Sequence, residues 1–161
     1  MSLQIRPMRV FDLPAVMSLV KRTEGLGFKK WEVFMVLTRA LLRNWKLPQV
    51  AVLDGEIVGS VFVAEGLMAA VHHLTVAPHA RGQNLGTRLV QAGLRKLYHK
   101  KYAARRVYIT VLPDNTGART FWTKFGCKLE STGDLVLFTL DLKEQTWLAQ
   151  ESATGEKKHP T

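Results

Sequence analysis

The hydrophobic residues of this chain change their spacing near residue 48. Before that point, apolar side chains recur at three- and four-residue steps, as they do along an amphipathic helix. This stripe consists of Trp31, Phe34, Met35, Thr38, Leu41, Leu42 and Trp45. After it, residues 48–65 form two β-rich runs joined by Asp54-Gly55, which indicates a hairpin because both residues tolerate positive φ. The chain therefore combines helices with strands that are linked directly to each other.

Continued along the chain, the same patterns predict the element order β α α β β β α β α β β. Residues 3–8 are typical of an edge strand, since Pro7 cannot donate a backbone hydrogen bond. A β-rich run over Ala69–Val76 ends at Pro78, and helical spacing returns over residues 83–100. Helices interleave with strands while the middle strands are hairpin-linked. The predicted fold is therefore α/β of the α+β kind, with a mixed, mostly antiparallel sheet of about seven strands flanked by four helices.

A length of 161 residues fits one domain. We expect a single folded domain over residues 1–144 and a flexible polar tail over 145–161, where the apolar pattern fades. No apolar run is long enough for a membrane helix, and the first residues lack the apolar stretch of a signal peptide. The single cysteine excludes an internal disulfide. We therefore expect a cytoplasmic protein with no membrane partner.

The positive charge is concentrated in one part of the chain. The formal net charge is +10, and residues 79–124 hold ten Lys and Arg against the single acidic residue Asp114. DNA, RNA, a membrane surface or one phosphate-rich small molecule would each match such a segment. A solvated basic surface without a partner would match it too.

The segment HHLTVAPHARGQNLGTRLV, which begins at His72, places a strand, a loop and a helix start in succession. Such a junction directs several backbone N–H groups and the positive end of the helix dipole toward one point, which favours a phosphate. Gly82 and Gly86 would permit close backbone approach, and Arg81 and Arg88 add positive charge. The glycine spacing matches neither a Walker loop nor a dinucleotide-binding fingerprint.

This segment resembles the signature of the GNAT acyl-CoA N-acyltransferases, V-x-P-x-x-R/Q-G-x-G-x-G/A. Here the signature occupies Val76 to Gly86, with Pro78, Arg81, Gly82 and Gly86 at its fixed positions. A second family element, N-x-x-A-x-x-x-Y-x-x-x-G-F after a strand, corresponds to Asn115, Ala118, Trp122 and Gly126-Cys127. The resemblance extends over roughly residues 3–142, and its two motifs fall in the family's order.

The resemblance implies acetyl-CoA as the acyl-donor cosubstrate. In such proteins the loop holds the CoA pyrophosphate, and the main chain of the preceding strand pairs with the pantetheine arm and polarises the thioester carbonyl. An asparagine of the second motif contacts the pantetheine or the helix start. The implied cofactor-binding residues are Leu74, Thr75, Val76, Arg81, Gly82, Gln83, Asn84, Leu85, Gly86, Thr87, Asn115 and Trp122.

Three positions depart from the family pattern. Asn84 replaces the middle glycine of the loop, although asparagine tolerates left-handed backbone better than most residues. Trp122 replaces the tyrosine that protonates the leaving thiolate in many members, and an indole has no titratable proton to give. Cys127 replaces a phenylalanine and is predicted to be a small buried residue.

A general base is needed because an acceptor amine is protonated at pH 7, and a neutral histidine suits that task. His72 and His73 are adjacent on a strand, so we expect them to point to opposite faces. The resemblance places His72 where family members often carry Glu or His, which makes His72 the candidate catalytic residue. The histidine spacing gives no case for a metal site.

The predicted activity is N-acetyl transfer from acetyl-CoA to a primary amine of a small molecule or a peptide, by direct attack on the thioester. The alternative is a catalytically impaired CoA-binding regulatory protein of the same fold, which the departures at Asn84 and Trp122 would explain. Nucleic acid is the weakest of the partners considered, and a homodimer is left open. In similar proteins the segment Gly25–Trp45 and the final hairpin shape the acceptor cleft. We expect Phe28 and Trp31 as pocket walls and Glu24, Glu32 and Glu65 near the cleft mouth.

Overall fold

A computed structural model of the protein describes residues 2–24, 30–99 and 105–149. Seven strands and five α-helices lie in these ranges. The strands are β1 Leu3–Pro7, β2 Gln49–Leu53, β3 Glu56–Glu65, β4 Ala69–Val76, β5 Arg106–Val111, β6 Lys128–Ser131 and β7 Val136–Asp141. The helices are α1 Leu13–Glu24, α2 Lys30–Arg43, α3 Leu85–Tyr98, α4 Thr116–Phe125 and α5 Thr146–Ala149. The predicted element order is confirmed, and the short helix α5 is added at its end.

The strands form one sheet in the order β1-β2-β3-β4-β5-β7-β6. Neighbouring strands run antiparallel, except that β4 and β5 are parallel. The mixed, mostly antiparallel sheet is therefore confirmed. The turn between β2 and β3 carries positive φ at Asp54 (49°) and Gly55 (88°), as the hairpin prediction requires.

Helices cover both faces of the sheet. On one face, α3 buries Leu89, Leu94 and Leu97 in the larger hydrophobic core, which Trp122 of α4 also joins. On the other face, α1 and α2 pack their apolar residues around Phe62 of β3, in a second and smaller core. We call these two surfaces the α3 face and the α1 face.

Helix α3 lies unusually close to the sheet at Gly93. A Cβ at this position would lie 2.6 Å from Val63 Cγ2 and 3.0 Å from the carbonyl oxygen of Leu47. Those distances are shorter than van der Waals contact, so a side chain at residue 93 would push the helix away from β3. This close approach fixes the height of α3 above the sheet.

The packed structure continues beyond residue 144, where the polar tail was predicted to begin. Leu148 of α5 is 2% exposed within the larger core, and the ring of Trp147 lies 6.0 Å from that of Phe125. Two adjacent apolar residues in a polar segment are a weak pattern, although their burial holds α5 on the α3 face. No helix in the described ranges combines the length and the apolar character that crossing a membrane requires.

Candidate active site

Strands β4 and β5 pair only over their first residues. Their register joins Ala69 to Val107, Ala70 to Tyr108 and Val71 to Ile109, and it ends there. Beyond Val71, β4 continues to Val76 and stays paired with β3 alone. The sheet therefore opens into a gap in its middle, beside the β4 residues whose main chain the resemblance pairs with the pantetheine arm.

A cleft of about 1280 Å³ occupies this gap and extends between α3 and α4. We call it the splayed cleft. The predicted site residues that line it are His72, Leu74, Thr75, Val76, Arg81, Gly82, Asn84, Leu85, Gly86, Thr87, Asn115 and Trp122. Gln83 lies in the same loop, between Gly82 and Asn84, but it is exposed and does not line the cleft.

The loop before α3 is shaped by its own backbone and by Arg81. A 3₁₀ turn over Pro78–Ala80 follows β4, and the Arg81 Nε–H donates to the carbonyl oxygen of Val76 at 3.1 Å. Gly82 and Asn84 both have positive φ, at 80° and 56°. The left-handed conformation expected of Asn84 is thus present, and it directs the chain into α3. The amino end of α3, with its unpaired N–H groups and positive dipole end, therefore faces the splayed cleft.

Gly86 serves a different contact from the one expected. A Cβ there would lie 3.2 Å from Phe121 Cε2 and 3.8 Å from Leu74 Cδ2. The absent side chain therefore allows Phe121 of α4 to approach the first turn of α3. Close approach of a phosphate remains a prediction for this loop, whereas the approach of two helices is what the geometry shows.

Helix α4 borders the cleft on its other side. The Asn115 Oδ1 accepts a hydrogen bond from the backbone N–H of Ala118 at 3.0 Å, so Asn115 caps this helix and also lines the cleft. Trp122 is 5% exposed and belongs to the core, yet it reaches the cleft as well. The position of Asn115 is therefore compatible with both of its predicted contacts, and Trp122 lies both in the core and at the cleft.

An aromatic cluster surrounds Trp122. Its ring lies 4.9 Å from that of Phe121 and 5.8 Å from that of Phe125, and Trp147 packs against Phe125. Phe121, Phe125 and Trp147 all line the splayed cleft, and none of them was predicted to belong to the site. Phe121 and Phe125 lie on α4, and Trp147 lies in the segment that was predicted to be a flexible tail.

The two histidines of β4 lie on the same face, so the expectation of opposite faces was wrong. The register between β3 and β4 shifts between Ser60 and Phe62, where β4 has an extra residue and His73 adopts a φ of 48°. His72 lies opposite Phe62, and the His73 ring contacts Phe62 edge-on at 6.3 Å. The two imidazole centroids are 6.5 Å apart. A β-bulge breaks the alternation of side chains, and both imidazoles turn to the α1 face.

The position of His72 favours its neutral form. The side chain is exposed to the splayed cleft. Desolvation by the surrounding protein, and secondarily the nearby charge of His73, lower the pKa of His72 from its ordinary value. An imidazole with a lowered pKa is unprotonated at pH 7 and can accept a proton.

Few of the basic residues of the segment 79–124 reach the splayed cleft. Among the described ones, Arg81 and Lys124 line it, while Arg88 and Arg119 do not. Lys100 and Lys101 lie outside the described residues. The segment 79–124 therefore has more described basic residues than line this cleft.

Cys127 is buried away from the cleft lining, as predicted for a small core residue. It is 7% exposed, and burial raises the pKa of its thiol to about 12. A protonated thiol is a poor nucleophile. Within the described residues, no group of three or more His, Cys, Asp or Glu is placed to hold a metal ion.

Part of the predicted acceptor side lies outside the described residues. This applies to Phe28 and to the side chains of Glu24, Trp31 and Glu32. Thr23, near the end of α1 and just before the predicted segment, lines the splayed cleft. Glu65 is not among the lining residues.

Known structures share this architecture. PaiA N-acetyltransferase of Thermoplasma acidophilum, solved with coenzyme A, is 18% identical with a TM-score of 0.69 over 88% of this chain and 99% of that one. The ribosomal-protein-S18-alanine N-acetyltransferase of Escherichia coli is 18% identical, with a TM-score of 0.71 over 88% and 94%. Ard1 of Thermoplasma volcanium is 16% identical, with a TM-score of 0.74 over 88% and 98%. At such identities the likeness shows the fold.

The sequence itself was compared with protein families and with curated proteins. No curated protein sequence matches the chain at a significant level. The profile of the acetyltransferase (GNAT) family matches residues 14–127, which include the loop, the bulged strand and helix α4 described above. The chain belongs to the GNAT acetyltransferase family.

Proposed function

We propose that the protein transfers an acetyl group from acetyl-CoA to a primary amine of a small molecule or a peptide, by direct attack on the thioester. The observation that carries this proposal is the gap between β4 and β5, which has the amino end of α3 on one side and His72 on the other. A thioester lying in the gap would be accessible from both faces of the sheet. The donor would enter from the α3 face and the amine from the α1 face.

The donor would be held mainly by backbone. The pyrophosphate would lie on the loop from Arg81 to Thr87, and the N–H groups at the start of α3 and the positive-φ residues of this loop support such an anion site. The pantetheine arm would pair with Leu74, Thr75 and Val76 as an added strand, since β5 does not pair with β4 there. Asn115 and Trp122 would border the arm from the side of α4.

His72 would act as the general base. The neutral imidazole removes a proton from the amine, whose nitrogen then forms a bond to the thioester carbon. A backbone N–H of β4 would stabilise the oxyanion that forms. Collapse of this intermediate breaks the carbon–sulfur bond and releases the CoA thiolate, and the excess proton on the new amide nitrogen passes to water. Because the indole of Trp122 has no titratable proton, the thiolate would leave unprotonated or take its proton from water.

Two of the similar structures support this assignment. One contains coenzyme A, and another is named for acetylating the alanine of a ribosomal protein. Both have the fold described here, which supports CoA as the donor and a primary amine as the acceptor.

The proposal is tested by calorimetric titration with acetyl-CoA, followed by a panel of small amines and peptide N-termini in which released thiol is measured. We expect binding and turnover with at least one acceptor. His72→Ala should lower turnover by about 100-fold and leave acetyl-CoA affinity nearly unchanged. His79→Ala is the matched control, because His79 is exposed and does not line the cleft.

Binding of acetyl-CoA without turnover on any amine would contradict the proposal and would match the regulatory alternative. If the wild-type protein and the His72→Ala variant turn over equally, the proposal of acetyl transfer stands and the role of His72 as general base is refuted.

A further inference from the structure

A second concave surface lies on the α3 face, apart from the splayed cleft. Its volume is about 540 Å³. Its lining residues are Ile5, Pro7, Lys46, Leu47, Gln49, Ala92, Arg95, Lys96 and His99, and we call it the basic cleft. It shares no lining residue with the splayed cleft within the described ranges. The two clefts use opposite ends of α3.

The basic cleft is positive, and none of its described lining residues is acidic. The carboxyl end of α3 presents three basic residues to this cleft, Arg95, Lys96 and His99. The loop after α2 contributes a fourth, Lys46. Lys46 and Lys96 are exposed and form no ion pair with a described carboxylate. Lys46 and Lys96 therefore make this surface positive, which attracts a polyanion.

Exposed aromatic rings accompany these cations. Trp45 is 64% exposed, and the Lys46 Nζ lies 4.4 Å from its ring centroid. Tyr98 is 41% exposed, and its ring meets that of His99 edge-on at 5.7 Å. Lys46 and His99 line the basic cleft. Trp45 and Tyr98 contact these two residues, although neither ring is itself among the lining residues.

We propose that the basic cleft binds a single strand of nucleic acid. Its phosphates would contact Lys46, Lys96 and His99, and a base would stack on Trp45. A charged groove bordered by exposed aromatic side chains is the usual arrangement for single strands, since every base has a face that can stack. A free phosphate would make use of the cations and leave the exposed tryptophan without a role. The proposal also gives a function to basic residues that the splayed cleft does not use.

The test is fluorescence anisotropy with a short labelled oligouridylate, across a salt series and with CoA at saturation to fill the splayed cleft. Lys46→Gln with Lys96→Gln should weaken binding and reduce the slope of log affinity against log salt by about 1.4, or roughly 0.7 for each lost phosphate contact. The control pair Lys21→Gln with Lys143→Gln removes the same charge from exposed positions outside both clefts. This control should change the slope little.

Trp45→Ala separates stacking from charge. It should weaken binding by about fivefold or more and leave the salt slope unchanged. Acetyl transfer and thermal unfolding, measured on every variant, show whether the fold is intact. The proposal is overturned if the CoA-saturated protein does not bind the strand, if both lysine pairs act equally, or if Trp45→Ala has no effect. Displacement of the strand by inorganic pyrophosphate at the same phosphate concentration would also overturn it, in favour of a small-anion site.

Discussion

The backbone at residue 84 shows how far a local preference can be predicted from sequence. Asparagine in place of the family's glycine was expected to keep a left-handed conformation, and Asn84 has a φ of 56°. This prediction succeeded because the preference resides in one residue and its own side chain. The prediction that His72 and His73 point to opposite faces was wrong. Their directions depend on a β-bulge in the pairing of β4 with β3, and this pairing is a long-range property.

Replacement of Asn84 tests whether the left-handed loop is needed for binding the donor. Asn84→Gly should retain acetyl-CoA affinity, since glycine adopts positive φ without steric cost. Asn84→Ala should weaken that affinity and cost about 1 kcal/mol of stability, because a Cβ without a compensating polar group disfavours the conformation. Calorimetric titration of both variants provides the comparison. Equal affinities would show that the loop does not depend on this backbone geometry.

The lowered pKa of His72 predicts the direction of the pH dependence. Only the neutral imidazole can accept the proton of the amine, so kcat should fall as the pH decreases through the pKa of His72. Because that pKa lies below the ordinary histidine value, the fall should occur on the acid side of pH 6.5. His72→Ala should remove this acid limb from the profile of kcat against pH. An acid limb that persists in the variant would assign it to another group.

At the scale of secondary structure, the order of helices and strands could be predicted, but the place where two neighbouring strands stop pairing could not. Hydrophobic period and turn residues are local, so the order of strands and helices, the Asp54-Gly55 hairpin and the mixed sheet could be inferred. The end of β4–β5 pairing after Val71 is a long-range property of the whole sheet. Helix α5 was missed because its stability comes from packing Trp147 and Leu148 on the core, and not from its short sequence.

The packing of α3 depends on two glycines with different neighbours. Gly93→Ala should destabilise the protein by about 1–3 kcal/mol despite the better helix propensity of alanine, since its Cβ would meet Val63 and the Leu47 carbonyl oxygen. Gly86→Ala should cost less, because its nearest neighbour is the edge of the Phe121 ring. Unfolding by denaturant measures both changes. A Gly93 variant as stable as the wild type would show that α3 is free to move away from the sheet.

At the scale of the whole molecule, the fold distributes the basic residues between two separate clefts. A net charge of +10 predicted a polyanionic partner, and the resemblance assigned that role to CoA. The structure gives Arg81 and Lys124 to the splayed cleft and gives Lys46, Arg95 and Lys96 to the basic cleft. Sequence could locate the excess but not this division, because Lys46 lies far from α3 along the chain.

The acceptor side could be predicted least. Part of the segment Gly25–Trp45, which was expected to shape it, lies outside the described residues. Among the described residues of α1 and α2, Thr23 lines the cleft. The donor side could be inferred in more detail because its loop repeats a fixed pattern of residue types from Val76 to Gly86.

The most direct measurement of the central claim follows the acetyl group itself. The purified protein would be incubated with acetyl-CoA labelled in its acetyl group and with the amine panel, and the label would be traced by mass spectrometry. The account predicts labelled amide in the same amount as free CoA thiol, with no label on the protein, since attack is direct and Cys127 is a buried, protonated thiol. Label that accumulates on the protein, or thiol released without acetylated amine, would contradict it.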